Sequence, residues 1–547
     1  MSARLCILSL AALTALVSTI SACRIDTSKG GDDDDDDGPG GKSGDSKESK
    51  QDETEAEKEA EKDTPTSFTG TQKRYNDADT GVADASAQFR ALVVIPFRDS
   101  LGLRNAVTAM YTPGDPTFRK YLSKDAFMST YAPTQASVDE VSSFFTSNGM
   151  KVERVATNRL LLQISGTVGD FNKAFGVEVH TLERGTQKTK IFGTLDKVTI
   201  PPALAEKITG VLTMDLPAVT GNPSTKGLPV DTTPPGSESS RVPDVAARYN
   251  AVDVPAHGEG ETIGIVGAGH IRKTDGQSFW QSQGVTRDDA VTVQVAEKPR
   301  SINFEALLDV QWSGGLAPKA AVKFYQSPDV RDSGLIFAFN EAVGQGEATV
   351  INDSYAHNEA VEPVQVRIAY DRSAMAAAAM GVTIFSSSGD SAQPDTPGTS
   401  PFVTAVGGTR RENTVWDGSG CGESSSFSLP DWQKPVLPAA KHRGNADLSA
   451  LADDLWAYSE GYSRAGGTSF SSPMTTGLFA TLNSIRTKAG KPRVGWLNQV
   501  LYTDPKVQAV FRDISKGGSG EVQAAVGYDM ASGWGEPDIG KLADAIP

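Results

Sequence analysis

The stretch ALVVIPF at 91–97 is an unbroken apolar and β-branched run, and RLLLQISG at 159–166 repeats the pattern. Both predict strands. Between them, VDEVSSFFTSNG at 138–149 spaces its apolar residues helically and stops at a glycine, with Ser137 and Glu140 suited to a capping box. Two strand-and-helix repeats of this kind predict a ferredoxin-like α/β unit over 68–215. Further along, ETIGIVGAG (261–269), AAVKFYQS (320–327), ATVINDSYA (348–356), GVTIFSSSGD (381–390) and FVTAVGG (402–408) alternate with helical stretches such as 365–381. Apolar strands separated by helices predict a parallel sheet covered on both faces. In such α/β folds the chemistry sits just past the carboxyl ends of the strands.

Composition divides the chain further. Residues 216–243 are rich in Pro, Gly, Ser and Thr, which deny regular pairing, so they form an exposed linker open to cleavage before a domain covering 244–547. Residues 23–67 are polar and acidic, with six aspartates in a row at 32–37, and read as a solvated tether. The net charge of −16 and pI near 4.9 exclude a nucleic-acid partner. Residues 1–22 have the layout of a signal peptide. Their end, Ile20-Ser21-Ala22-Cys23, resembles a lipobox, which implies a lipidated Cys23 and an exported protein tethered to a membrane; an ordinary signal with an incidental cysteine is the alternative. No later segment has the ~20 apolar residues that a spanning helix needs. Of three cysteines, only Cys421 belongs to the folded body, so stability rests on packing or a bound ion.

GGTSFSSP at 466–473 precedes an apolar helical run and presents Ser469 at a helix mouth, where a nucleophile would need a base. The five histidines are His180, His257, His270, His357 and His442. His270 directly follows a strand but lacks a helix-start motif, and reads as a loop histidine. In FEALLDVQWSGGLAP (304–318), Glu305 and Asp309 are four apart and share a helix face. Two such carboxyl groups resist double ionisation, so the pair retains a proton. Asp390 ends the strong strand GVTIF, a position that by itself suits an Asx turn.

Taken in order, Glu305-x-x-x-Asp309 with Gly314-Gly315-Leu316-Ala317-Pro318, Ser388-Gly389-Asp390-Ser391, the run Ser400 to Thr409, and Gly467-Thr468-Ser469 with Pro473 resemble the sedolisin (serine-carboxyl) peptidases, including kumamolisin-like enzymes. The resemblance covers nearly the full exported length. It implies a subtilisin-like catalytic domain after an activation prodomain that inhibits it, with Ser469 as nucleophile, Glu305 as base, Asp309 as its tuning partner and Asp390 as the oxyanion acid. It also implies one Ca²⁺, held by the carboxylates of Asp513 and Asp529 and the carbonyls of Ile514, Ala525 and Gly527, all hard oxygen donors. The chain departs from the family at Ser354-Tyr355, where a Ser-Trp pair is usual, before Ser400-Pro401, and at Ala525, where glycine is commoner. The expected protein is a monomeric, self-processing, acid-acting endopeptidase that cuts proteins and peptides. A tripeptidyl exopeptidase and a catalytically idle surface-binding lipoprotein are the alternatives.

Overall fold

The computed structural model describes residues 77–184, 189–196, 198–215, 241–295 and 302–547. The expected signal peptide, Cys23, the expected tether and most of the expected linker lie outside the described residues. In the N-terminal unit, β1 (Ala78–Val82), β5 (Val179–Arg184) and β6 (Thr189–Thr194) form a small antiparallel sheet that the sequence pattern did not announce. The main sheet has the order β3 (Lys151–Val155), β4 (Leu161–Thr167), β2 (Gln88–Val94), β7 (Gly210–Asp215), all antiparallel, with helices in the β2–β3 and β4–β7 connections. That is the expected ferredoxin-like order. One detail is corrected: the helix spans Gln135–Ser147, and Thr134, not Ser137, is its cap, accepting from Ser137 N at 3.1 Å. Glu140 instead reaches Lys207 at 2.8 Å.

The larger unit is built on seven parallel strands in the order β14 (Leu448–Leu451), β13 (Thr404–Thr409), β12 (Thr383–Ser387), β11 (Val350–Asp353), β8 (Thr262–Ala268), β10 (Ala321–Ser327), β9 (Val291–Gln294). Alternation along each strand sends neighbouring side chains to opposite faces. Ile263, Ile265, Val350 and Phe385 join one core with helices Phe304–Leu316 and Thr468–Lys488. Val266, Ile351 and Ile384 join the other with helices Asp332–Gly344 and Val364–Ala379.

This second core does not stop at the domain boundary. Leu92, Val94, Phe97 and Tyr111 of the N-terminal unit are buried in the same cluster as Phe337, Phe339 and Trp496. Around it, Asn158 and Asn340 exchange amide hydrogen bonds at 2.9 and 2.8 Å, while Glu341 accepts from Thr157 N and Oγ1 at 2.6 and 2.8 Å. Tyr111 donates to Ala378 O at 2.9 Å and accepts from Trp496 N at 2.8 Å. Apolar burial supplies the adhesion, and the paired polar groups fix the register.

Candidate active site

Two helices bring the candidate residues together. Asn303 caps helix Phe304–Leu316 by accepting from Glu305 N at 2.9 Å, which places Glu305 in the first turn and Asp309 one turn later. Helix Thr468–Lys488 begins at Gly467, with Ser469 in its own first turn. The two helices pack closely because Gly477 has no side chain: a Cβ there would sit 2.4 Å from Ser313 O. Trp312 Nε1 donates to Trp456 O at 2.8 Å, and Gln311 pairs with both backbone groups of Tyr458 at 2.7 and 2.9 Å. These bonds tie the hairpin Leu455–Ala465, which leads into Gly466-Gly467-Thr468, to the helix that carries Glu305.

At the centre the Ser469 hydroxyl lies close enough to the Glu305 carboxyl to act on its proton affinity. Burial raises the proton affinity of Glu305, the Ser469 hydroxyl opposes this, and the charges of Asp390 and Asp353 add to it. Asp309 has no solvent exposure. Its proton affinity lies well above the ordinary carboxylate range, first through burial and then through Glu305, against a hydrogen bond from Ser354. The more deeply buried partner therefore keeps the proton, and the negative charge of the pair falls on Glu305 at the positive end of a helix.

A buried relay holds Asp309. Ser472 Oγ donates to Asn352 Oδ1 at 2.7 Å, Asn352 Nδ2 donates to Ser354 Oγ at 3.1 Å, and Ser354 Oγ donates to Asp309 Oδ1 at 2.7 Å. The relay runs from the Ser469 helix, across the carboxyl end of β11, to the Glu305 helix. Sequence reasoning missed Asn352 and treated Ser354 only as half of a departing pair. The signal available was their position, two polar side chains at the end of an apolar parallel strand.

Asp390 follows β12. Its Oδ1 accepts from Thr468 N at 2.8 Å and from Thr468 Oγ1 at 2.7 Å. Its Oδ2 is aimed at Gly467, whose φ is +147° and where a Cβ would come within 2.8 Å of that oxygen. Only glycine allows this approach. Although solvent reaches Asp390, the surrounding protein raises its proton affinity, against the two bonds from Thr468. With Oδ1 occupied as an acceptor, a proton on Asp390 belongs on Oδ2, which faces the residue pair preceding Ser469. Ser469 is also the second residue of its helix, so its N–H has no intrahelical acceptor.

Two further buried acids line this region. Burial pushes Asp353 to about 7, opposed by the Tyr355 N–H and by His357. Burial and the charges of Asp390, Glu359 and Glu362 push Asp395 to about 8. His270 lies just past β8 and bridges to Ile302; its carbonyl accepts from Asn303 N at 3.1 Å. Thus His270 supports the cap of the Glu305 helix, and among the described residues no histidine is hydrogen-bonded to Ser469.

The residues expected to hold calcium are also neighbours. Asp529 accepts from the N–H groups of Ala525, Ala531 and Ser532, each at 2.9 Å, and Asp513 accepts from Gly527 N at 3.1 Å. Ser532 Oγ bridges Asp529 and the Ile514 carbonyl, at 3.1 Å from the latter. Among the described residues neither carboxylate has a Lys or Arg partner. Two unneutralised carboxylates among carbonyl oxygens are a donor set that fits a hard divalent cation.

Known proteins agree with this architecture. Residues 76–216 match the family described as Pro-kumamolisin, activation domain, and residues 232–528 match the Subtilase family. Kumamolisin from Bacillus sp. (strain MN-32) is 28% identical over 488 residues, which cover 79% of this chain and 87% of that protein. Tripeptidyl-peptidase 1 from Bos taurus is 26% identical over 538 residues, covering 85% and 93%. The solved structure of Pseudomonas sedolisin, a serine-carboxyl proteinase complexed with two molecules of pseudo-iodotyrostatin, superposes with a TM-score of 0.51 at 28% identity, covering 56% of this chain and 98% of that one. With its parallel sheet, its docked activation domain and its Ser-Glu-Asp cluster, the chain belongs to the subtilase family and, within it, to the sedolisin group of serine-carboxyl peptidases.

Proposed function

We propose that the protein is an acid-acting endopeptidase made as a self-processing precursor, with Ser469 as nucleophile, Glu305 as general base, Asp309 as the group that tunes it and Asp390 as the oxyanion acid. The juxtaposition of the Ser469 hydroxyl, at its helix mouth, with the buried Glu305–Asp309 pair carries this reading. Glu305 takes the Oγ proton as Ser469 attacks the peptide carbonyl, and Asp390 in its protonated form donates to the oxygen that becomes negative. Glu305 then passes its proton to the leaving amine. Water, activated by the same carboxylate, cleaves the acyl-enzyme. An oxyanion donor of this kind is worth ~3 to 4 kcal/mol.

Self-processing would itself be an internal cut: in the precursor's own linker at 216–243 the bond broken has more than 200 residues on its amino side. Precursor incubated at several acidic pH values should acquire a new N-terminus within the linker, and Ser469→Ala should stay intact. A peptide with a blocked amino terminus and an internal quenched fluorophore should be cut. Cleavage only of free-amino-terminal peptides, three residues at a time, would establish the other mode.

The C-terminal loop would hold one Ca²⁺ through Asp513, Asp529 and the carbonyls of Ile514, Ala525 and Gly527. When bound, the ion supplies charge neutralisation and stability to this loop, not a step of hydrolysis. Lipidation at Cys23 would keep the exported, monomeric protein on a membrane, and Cys23→Ser should release it from the detergent phase.

A further inference from the structure

Near Asp353, at the carboxyl end of β11, three side chains from separate elements converge. Asp332 opens helix Asp332–Gly344, His357 lies in a two-residue strand paired with Asp395–Thr396, and Glu362 ends the single turn Glu359–Val361. One ligand atom from each lies within 4.8 Å of the others, with His357 Nδ1 3.7 Å from Asp332 Oδ1. We propose that Asp332, His357 and Glu362 form a binding site for a divalent transition-metal ion of the Zn²⁺ type, separate from the C-terminal calcium loop.

A second observation, independent of the cluster, supports a ligand here. Tyr370, on helix Val364–Ala379, is 1% exposed, and among the described residues its hydroxyl has no hydrogen-bond partner although it lies in electrostatic range of Asp353, Asp332 and Glu362. A buried hydroxyl without a partner is rare, because leaving it unpaired costs about 1–3 kcal/mol. Water held on a metal ion would give it one. A simple His357–Asp332 ion pair accounts for less: 3.7 Å is long beside the ~2.7–2.9 Å of a charge-assisted hydrogen bond, and the pair leaves Tyr370 unexplained. Arg367 lies 3.7 Å from Glu359 and donates to the main-chain oxygen of Glu362 at 2.8 Å.

The donor set decides the class of ion. One imidazole and two carboxylates suit Zn²⁺ or its neighbours, whereas Ca²⁺ takes oxygen alone. Bonds of ~2.0–2.2 Å place ligand atoms about 3.4 Å apart in a tetrahedral site, so closure needs rotations of about 1 Å shared among three side chains. The ion would fasten two helix starts and a loop to the end of the strand that carries Asn352 and Asp353.

The test uses the full chain with Ser469→Ala, which prevents self-processing, stripped of metal and held at pH 7 with saturating Ca²⁺. Zn²⁺ is titrated calorimetrically, and Co²⁺ is followed by its visible absorption. A saturable Zn²⁺ site is expected, weakened tenfold or more by His357→Ala and by Glu362→Gln. Added Zn²⁺ should also raise the thermal midpoint of the parent protein, a readout that does not depend on how the variants fold. Affinity weaker than about 0.1 mM, binding unchanged in both variants, or a midpoint indifferent to Zn²⁺ would overturn the assignment.

Discussion

Asp395 makes the electrostatics of this site measurable. The residue is 6% exposed, and burial together with three neighbouring carboxylates lifts it from 3.8 to about 8. A group whose folded-state affinity for the proton is raised stabilises the fold fully below its unfolded value, and that contribution is lost as pH rises through the folded value. Between pH 3.8 and about 8 the folded chain therefore holds a proton that the unfolded chain has released, and stability falls by about 1.4 kcal/mol per pH unit. From pH 5 to pH 8 this amounts to about 4 kcal/mol, an upper bound because the site can relax and admit water. Asp395→Asn keeps the shape and does not titrate. In denaturant unfolding of the Ser469→Ala protein, the variant should gain on its parent as pH rises from 5 to 8. The slope matters rather than the offset, since the amide alters local hydrogen bonding equally at every pH, and the titrations of Asp353 and the catalytic pair cancel in the difference. Below about pH 6, where Asp395 is already neutral, the substitution should leave the charge felt by Asp390 unchanged. A stability difference flat to within about 0.5 kcal/mol across this range would refute the claim that burial keeps Asp395 protonated.

Further outcomes follow from the same geometry. Glu305→Ala and Asp390→Ala should each lower kcat by about 10² to 10³ or more with smaller effects on KM, because both act chiefly in the transition state; full activity in either variant would exclude its role. Wild-type activity should fall as pH rises through the raised titration of Asp390, and Asp390→Asn, which donates without titrating, should flatten that decline in whatever activity remains. Gly467→Ala should reduce kcat at least tenfold while the protein stays folded, as judged by circular dichroism, because its Cβ would press on Asp390 Oδ2 at a φ of +147°. Removing Ca²⁺, or Asp513→Ala, should lower the thermal midpoint; an ion present at a hundredfold excess over Kd supplies about 2.7 kcal/mol, and a midpoint indifferent to chelator would count against the loop.

The features legible in the sequence are those written in short windows. Strand runs, the E-x-x-x-D spacing, the serine at a helix mouth and the ordered motifs all depend on residues within one turn or one strand, so periodicity and local sterics suffice to read them. Thr134 displaced Ser137 as a cap because capping depends on where the helix starts, which local pattern places only to within a few residues. The rest depends on residues far apart in the chain. Asn352 and Ser354 acquire meaning only when β11 lies between two helices more than 150 residues apart, so that Ser472 and Asp309 can be joined. Likewise the protonation of Asp353 and Asp395 is decided by the solvent that packing excludes, a property of the enclosing shell and not of the residue. The shared core between the activation unit and the peptidase unit was invisible for the same reason: Leu92 and Phe97 read as ordinary interior residues of their own sheet, and only docking turns them toward Phe337, Phe339 and Trp496.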